Sequence, residues 1–336
     1  MNAISLAREL IKIPSPSGSE SKLGFFLKEI LEKYFQVRIQ KVGSSFNLLA
    51  FIGKPDFLFT THIDTVPCNI DFKEDSLSLY GRGAVDTKGL IASMIFAAIR
   101  AKESGLSNFG ILFDVGEESD FCGIKKAVNL VKPQFVVVGE PTNFKLVIGQ
   151  KGLLGLKINS FGKSCHGSNP SNGICAISKL VDFLADLKKL ALPINNSGSN
   201  VLNIGLINGG FAINVVPDYA SCSLEFRTTV DNKVILDLIK SLVKKFNLEF
   251  EVLSNFNPVF ASESRFIKQL SFEQKFNSAF SEIYFWSGIC PVIEFGPGNP
   301  EFAHTDVEMI LKKDILRGVD EYFSLIETYK KSYNWL

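Results

Sequence analysis

Apolar positions in the first half of the chain alternate between two periods, and each change marks an expected boundary between elements. In SKLGFFLKEILEKYF they recur at helical spacing, behind Ser17 and Glu20, which stand at the spacing of a capping box. VRIQKV and NLLAFIG read as strands, and FLFTTHID is an apolar, β-rich run that ends in polar residues. TKGLIASMIFAAIRAKESG predicts a mostly buried helix stopped at Gly105. GILFDVGEES and FVVVGEPT repeat the earlier shape, a short apolar run followed by acids. Short apolar strands separated by helices predict an α/β fold with a largely parallel sheet, covered on both faces.

From about residue 150 the rhythm changes. LLGLKINSFG reads as a strand, SNGICAISKLVDFLADLKKL as a helix, and VLNIGLINGG and ASCSLEFRTTV as strands joined through NVVPDY. DNKVILDLIKSLVKKF is a second helix and LEFEVLS a last strand. The order β-α-β-β-α-β is that of the split-βαβ, ferredoxin-like module. It predicts a domain at 149–257 inserted into a discontinuous one made of 1–148 and 258–336. The second part resumes the α/β pattern with FNSAFSEIYFW, CPVIEFGPG and a final helix near DILRGVDEYFSLIETYKK. NNSGSN at 195–200 reads as a polar loop.

Composition narrows the partners. With 36 Lys and Arg against 35 Asp and Glu, the net charge of +1 gives no basic field to hold nucleic acid or an anionic membrane. The apolar runs stop well short of the roughly 18 residues that would span a bilayer. MNAISLARELIKIPSP carries early charges on a helical pattern and lacks the apolar core of a secretion signal. Six scattered cysteines without a CxxC pair predict reduced thiols in a cytoplasm, and neither a disulfide framework nor a cysteine zinc site. Only three histidines occur, His62, His166 and His304.

The acids at the strand ends carry the chemistry. FLFTT is followed by His62 and Asp64, LYGRGAV by Asp86, GILFDVG by Glu117 and Glu118, and FVVVG by Glu140. Ligands of open α/β sheets bind beyond the carboxyl ends of the strands, so these segments should aim imidazole and carboxylates into one crevice. Taken singly, a His-x-Asp is ordinarily a hydrogen-bonded surface pair, and Glu-Glu a solvated loop. GRGAVDTKG could be a tight turn with a helix cap, and its glycines make no dinucleotide fingerprint or phosphate loop. Together the acids are costly unless a cation neutralises them, and the donor types suit zinc or a similar divalent ion. Their number is large for one ion; a carboxylate shared between two ions would account for it.

THIDTVP, YGRGAVDTKG, GEES, VGEPT and GPGNPEFAHTDVE, in this order over nearly the whole chain, resemble the two-zinc aminoacylase/carboxypeptidase metallopeptidase family of the acetylornithine deacetylase and succinyl-diaminopimelate desuccinylase type. The resemblance implies that His62 and Glu140 bind one zinc, Glu118 and His304 the other, and that Asp86 bridges them. It implies Asp64 as the carboxylate that orients His62 and Glu117 as the general base. Two Zn2+ are the implied cofactors, with Co2+ or Mn2+ as substitutes. The first domain becomes the catalytic, metal-binding one, and the inserted domain a lid and dimerisation surface.

His166 in GKSCHGSNPSNG could be a loop histidine without a role. The resemblance instead implies that it crosses a homodimer interface to the partner's oxyanion. Asn214 in NVVP and Arg227 in LEFR match positions that hold the substrate's polar and carboxylate groups; Arg227 could equally be an exposed strand residue. Two segments depart from the family pattern. Residues 277–282 read NSAFSE where relatives often have Gly-Gly-Thr-Asp, and the helix after Asp86 begins Lys88-Gly89-Leu90 rather than with Gly-Gly, a local packing change. The expectation is a cytoplasmic, homodimeric zinc amidohydrolase that deacylates a small N-acyl amino acid. N-acetylornithine deacetylase of arginine biosynthesis is the first choice; the desuccinylase of lysine biosynthesis and a di- or tripeptidase are the alternatives.

Overall fold

The computed structural model describes residues 1–195, 197–261 and 264–333. The chain divides into two compact units, one made of Met1–Gly149, Ala261–Lys275 and Ser281–Leu336, the other of Gln150–Phe260 and Phe276–Phe280.

The first unit is built on a mixed sheet. Its strands lie in the order Gln36–Val42, Ser45–Ile52, Phe109–Asp114, Phe57–His62, Phe135–Val138, Val292–Glu294 and Leu146–Gln150. The four from Phe109–Asp114 to Val292–Glu294 are parallel, and the margins are antiparallel. The parallel centre follows from its sequence: every residue of Phe57–His62, Phe109–Asp114 and Phe135–Val138 is buried, which only strands covered on both faces tolerate. The first two strands are instead a hairpin, turned at Gly43 with φ +55°. Helices Ala3–Ile11, Gly89–Glu103 and Lys312–Ser332 pack against one another. Phe57, Phe135, Phe266 and Tyr329 form an aromatic cluster, with Phe57 4.8 Å from Tyr329 and 6.2 Å from Phe135 between ring centroids. At about 1.5–3 kcal/mol for each large apolar side chain buried, this cluster anchors the sheet end opposite His62.

The capping box expected at Ser17 and Glu20 does not form. The helix runs Ser21–Leu31 with no side-chain cap bond at Glu20, whose Oε1 accepts from Gly18 N at 2.6 Å. Ser17 Oγ is drawn away by a stronger acceptor, the Asp64 carboxylate, at 2.6 Å. A capping box does form at the first helix, between Asn2 and Ser5.

The second unit has the element order β-α-β-β-α-β. Its antiparallel sheet runs Val201–Gly209, Tyr219–Thr228, Gly152–Phe161, Glu249–Phe256. Helices Ala176–Leu187 and Asn232–Lys245 share a core with it, in which Leu156, Ile158, Phe183, Leu224, Phe226 and Ile239 are buried. Asp231 caps the second helix by accepting from Lys233 N. The 195–200 stretch, expected as a polar loop, contributes Asn195 and Gly198–Ser199 to a minimal hairpin that pairs Ile194–Asn195 with Gly198–Ser199; Asn196 lies outside the described residues.

Three segments of the first unit meet at Glu74. Arg8 donates from Nε and Nη2 to its two oxygens at 2.6 and 2.8 Å, and Lys312 Nζ lies 2.7 Å from Oε1. The Arg8 and then the Lys312 hydrogen bonds bring the Glu74 carboxyl down to about 2 from an ordinary 4.5. A depressed acid contributes stability that is complete above its unfolded value and is lost as pH falls through the folded one. Glu74→Gln should therefore lower Tm near neutral pH, and the gap from the parent should close between about pH 4.5 and 2 in scanning calorimetry. A gap that persists unchanged at the acid end would mean that charge contributes nothing here.

Candidate metal centre

Each site residue of the first unit is set by the end of an element. His62 is the last residue of its strand and lies opposite Asp114 in the parallel register. Glu117 and Glu118 follow Asp114 by three and four residues, and Glu140 follows Val138 by two. Asp86 departs from the expectation of a strand end. It sits in a tight turn, Ala84–Lys88, six residues beyond the short strand Ser78–Tyr80, which pairs with Lys73–Glu74 and Met309–Leu311 outside the main sheet. The turn enters through Gly83 at φ +84°, where a Cβ would lie 2.8 Å from Lys88 Cδ. His304 itself has φ +61°.

These residues converge. His62 Nε2 is 3.0 Å from Asp86 Oδ1 and 3.8 Å from Glu140 Oε1. His304 Nε2 is 2.7 Å from Glu118 Oε1 and 3.3 Å from Asp86 Oδ2. Asp86 thus offers one oxygen to each imidazole. His62, Asp86 and Glu140 have ligand atoms within 4.8 Å of one another, as do Asp86, Glu118 and His304, and also His62, Glu117 and Glu118. Two triads sharing one carboxylate fit a pair of divalent cations in both donor type and spacing.

Electrostatics give the same picture. Burial alone would pull His62 down, but the nearby carboxylates of Asp64 and Asp86 hold it well above its ordinary value. His304 is raised to about 10, chiefly by Asp86 and then Glu118. Burial works to raise Asp86, yet His304 and His62 overcome it and hold the carboxylate low. Burial drives Glu117 up to about 8; the charges of Glu118 and Asp86 add to this against the pull of His62. Burial also raises Glu140 well above the carboxylate range. Acids pushed up and imidazoles pushed up together mark a site short of positive charge.

Asp64 holds the assembly differently from the expected carboxylate–imidazole bond. His62 Nδ1 donates to the Asp64 backbone carbonyl at 2.9 Å, while the nearest carboxylate oxygen is 3.5 Å away, too long for a strong bond. The carboxylate is taken by three other donors: Glu117 N at 3.1 Å, Glu118 N at 3.1 Å and Ser17 Oγ at 2.6 Å. It therefore fixes the Glu117–Glu118 loop.

Sequence reading missed Ser17, and also a buried acid pair below the site. Asp114 and Glu282 are both fully buried, and the charge of Asp114 acts on Glu282. Burial lifts Asp114 to about 6 and Glu282 well above the carboxylate range. The available signal was an acid inside the apolar run GILFDVG. Ser281 and Glu282, from the segment that departs from the family pattern, are thus buried, and Ser281 Oγ donates to Glu294 at 2.7 Å. Leu90, the other departure, is buried against Gly296, where a Cβ would lie 2.7 Å from its Cδ2.

The remaining three candidates belong to the second unit. His166 pairs with Val215 in a two-residue ladder, and Gly167 N donates to Asn214 O at 2.7 Å, so His166 and Asn214 are neighbours. Arg227 lies on the Tyr219–Thr228 strand opposite Val201 and Leu153, half-buried, with Nε 2.9 Å from Glu225.

Comparisons with known proteins agree with this architecture. Residues 148–251 match the model of the peptidase dimerisation domain of the M20 family. A probable carboxypeptidase of Aspergillus clavatus is 36% identical over 255 residues, 67% of this chain and 61% of its own length. A probable carboxypeptidase of Talaromyces marneffei is 30% identical over 383 residues, 96% of this chain and 85% of its own. This chain therefore spans less than two thirds of the first relative and most of the second. Among solved structures, an aminopeptidase of Bacillus cereus superposes with TM-score 0.81 at 19% identity, covering 97% of this chain and 98% of that one. A dinuclear metal binding peptidase of the M20 family from Bacillus subtilis does so with TM-score 0.75 at 16% identity, covering 97% of each. The chain belongs to the M20 metallopeptidase family. Among the described residues no helix is long and apolar enough to cross a membrane.

A divalent cation added to chelator-treated protein should raise Tm, because it replaces repulsion among Asp86, Glu117, Glu118 and Glu140 with attraction. At a hundredfold excess over Kd the gain is about 2.7 kcal/mol for one site. Asp86→Asn should shrink the rise, since both triads use that carboxylate. An unchanged Tm in the parent protein would count against a metal centre.

Proposed function

We propose that this chain is a metal-dependent amidohydrolase that cleaves the amide joining an acyl or peptidyl group to a terminal amino acid with a free carboxylate. The observation that carries the reading is the pair of donor triads sharing Asp86, with Glu117 beside them. His62 and Glu140 with Asp86 would hold one ion, and Glu118 and His304 with Asp86 the other; zinc suits these donors, with cobalt or manganese as substitutes. When bound, such ions polarise a carbonyl and bring the pKa of water to about 7.

The protein's own part follows from its geometry. Glu117, held at its backbone N by Asp64, takes the proton of the attacking water and returns it to the leaving amine. Burial raises the Glu117 carboxyl, and neighbouring positive charge would lower it toward the range a base needs. His166 is suited to donate to an oxyanion. Ser168 N donates to its Nδ1 at 3.2 Å, which makes that nitrogen the acceptor and puts the neutral ring's proton on Nε2. Asn214, next to His166, would hold the substrate's polar group. Arg227, with Nε on Glu225, keeps its two terminal nitrogens for a carboxylate.

A homodimer through the second unit completes the reading. Val201–Gly209 is an edge strand with Val201, Leu206 and Ile207 exposed, and Ile177 and Val181 are exposed on the Ala176–Leu187 helix. An open apolar edge of this kind needs a cover.

Glu117→Gln should keep metal while kcat falls by about 100-fold or more, as loss of a general base requires. Mixing it with His166→Ala under subunit exchange should restore about a quarter of parental activity, because only one site of each mixed dimer is intact. No recovery would exclude donation across the dimer.

For the substrate, the sequence favours N-acetylornithine over N-succinyl-diaminopimelate, whereas the relatives bear the name carboxypeptidase. A panel of N-acetyl and N-succinyl amino acids with di- and tripeptides, assayed in saturating zinc, decides among them. In every case blocking the terminal carboxylate as an amide should lower kcat/KM about 30- to 100-fold, the loss of charge-assisted hydrogen bonds. Full activity on blocked substrates would refute the free-carboxylate requirement.

A further inference from the structure

We propose that Glu308 is a positioning residue that, with Arg82, sets the two metal subsites against each other by clamping the Asp86 turn to the His304 loop. The inference rests on the dinuclear reading of the site. Glu308 lies four residues beyond His304 and is 1% exposed. Both its oxygens are engaged. Oε1 accepts from Val85 N at 3.1 Å and from Asp86 N at 3.2 Å, so it grips the backbone of the shared carboxylate residue itself. Oε2 accepts from Arg82 Nη1 at 2.7 Å.

Arg82 is buried too and carries the connection back. Its Nη2 donates to Thr305 O at 3.4 Å, one residue past His304, and its Nε donates to Cys68 O at 3.0 Å. Gly81 N donates to Glu308 O at 3.1 Å and closes the loop pair. The two subsites differ in their support. His62 and Glu140 are carried from strands of the central sheet, whereas Asp86 lies in a turn and His304 in a loop with a side chain about half exposed. The Asp86 Oδ2–His304 Nε2 separation of 3.3 Å therefore has no strand to set it, and the Arg82–Glu308 clamp takes that part.

The pairing is selective in its chemistry. A carboxylate can accept two backbone N–H groups on one oxygen and a guanidinium on the other, whereas a glutamine, in either orientation of its amide, sets its N–H2 against a donor, either Arg82 or the Val85 and Asp86 N–H groups. Lysine in place of Arg82 keeps the charge but loses the fork that reaches Thr305 and Cys68.

The test is calorimetric titration of chelator-treated protein with Zn2+, for the parent, Glu308→Gln and Arg82→Lys, with circular dichroism to follow the fold. The parent should bind two ions in resolvable steps. In Glu308→Gln one step should weaken about 10- to 100-fold, the range for lost support of a metal ligand, while the other moves less than about threefold. Arg82→Lys should weaken the same step by a smaller factor, and Co2+ absorption should show the altered coordination. Two parental steps in both variants, with only Tm reduced, would make the clamp merely structural and overturn the inference. Should Glu308→Gln fail to fold, Arg82→Lys alone decides between these results. A parent that binds no ion would instead overturn the dinuclear reading, and this inference with it.

Discussion

Asp86 has to present one oxygen to each of two imidazoles while buried among other acids, and much of the first unit serves that demand. Four carboxyl groups close to each other in a low-dielectric place repel strongly, and the apolar side chains of the surrounding sheet do not relieve them. The available relief is positive charge at the middle, from imidazolium or from divalent ions. Elements that have no chemistry of their own are bent to this need: a glycine at φ +84° admits the turn, Glu308 holds its backbone, and Ser17 gives up a helix cap to Asp64.

The aromatic cluster at the far end of the Phe57–His62 strand makes the arrangement affordable. A strand that starts in close-packed rings and ends in an imidazole places the charged group at the rim of a rigid body. Error in the position of His62 is then limited by packing rather than by the loop that follows. Glu118 gains rigidity by another route, through the hydrogen bond of its N–H to Asp64.

Much of this was legible in the sequence where a side-chain period or a run of acids carried it. The fully apolar strands betrayed their burial on both faces, and the β-α-β-β-α-β order of the second unit followed from the change of rhythm near residue 150. His62, Glu117, Glu118 and Glu140 were visible because each follows an apolar run closely. Asp86 was visible as a residue, but its setting was misread, since a glycine-rich turn looks like a strand exit when written out. The antiparallel margins of the sheet escaped because an apolar strand does not record its neighbour's direction. Ser17, Arg82 and Glu308 escaped for a different reason. Each acts on backbone or on a residue far away in the chain, and local spacing contains no trace of a partner 226 positions distant, as Arg82 is from Glu308.

Asp64 divides its work between two parts of one residue. Its carbonyl receives the His62 proton, and its carboxylate gathers the Glu117–Glu118 loop. Only the second of these is encoded by the side chain. A scan of substitutions at position 64 would therefore register a loop anchor and leave the imidazole's acceptor in place, since every amino acid brings a carbonyl. The tautomer of His62 is in this sense inherited from the path of the chain, and it can be altered only by moving the backbone.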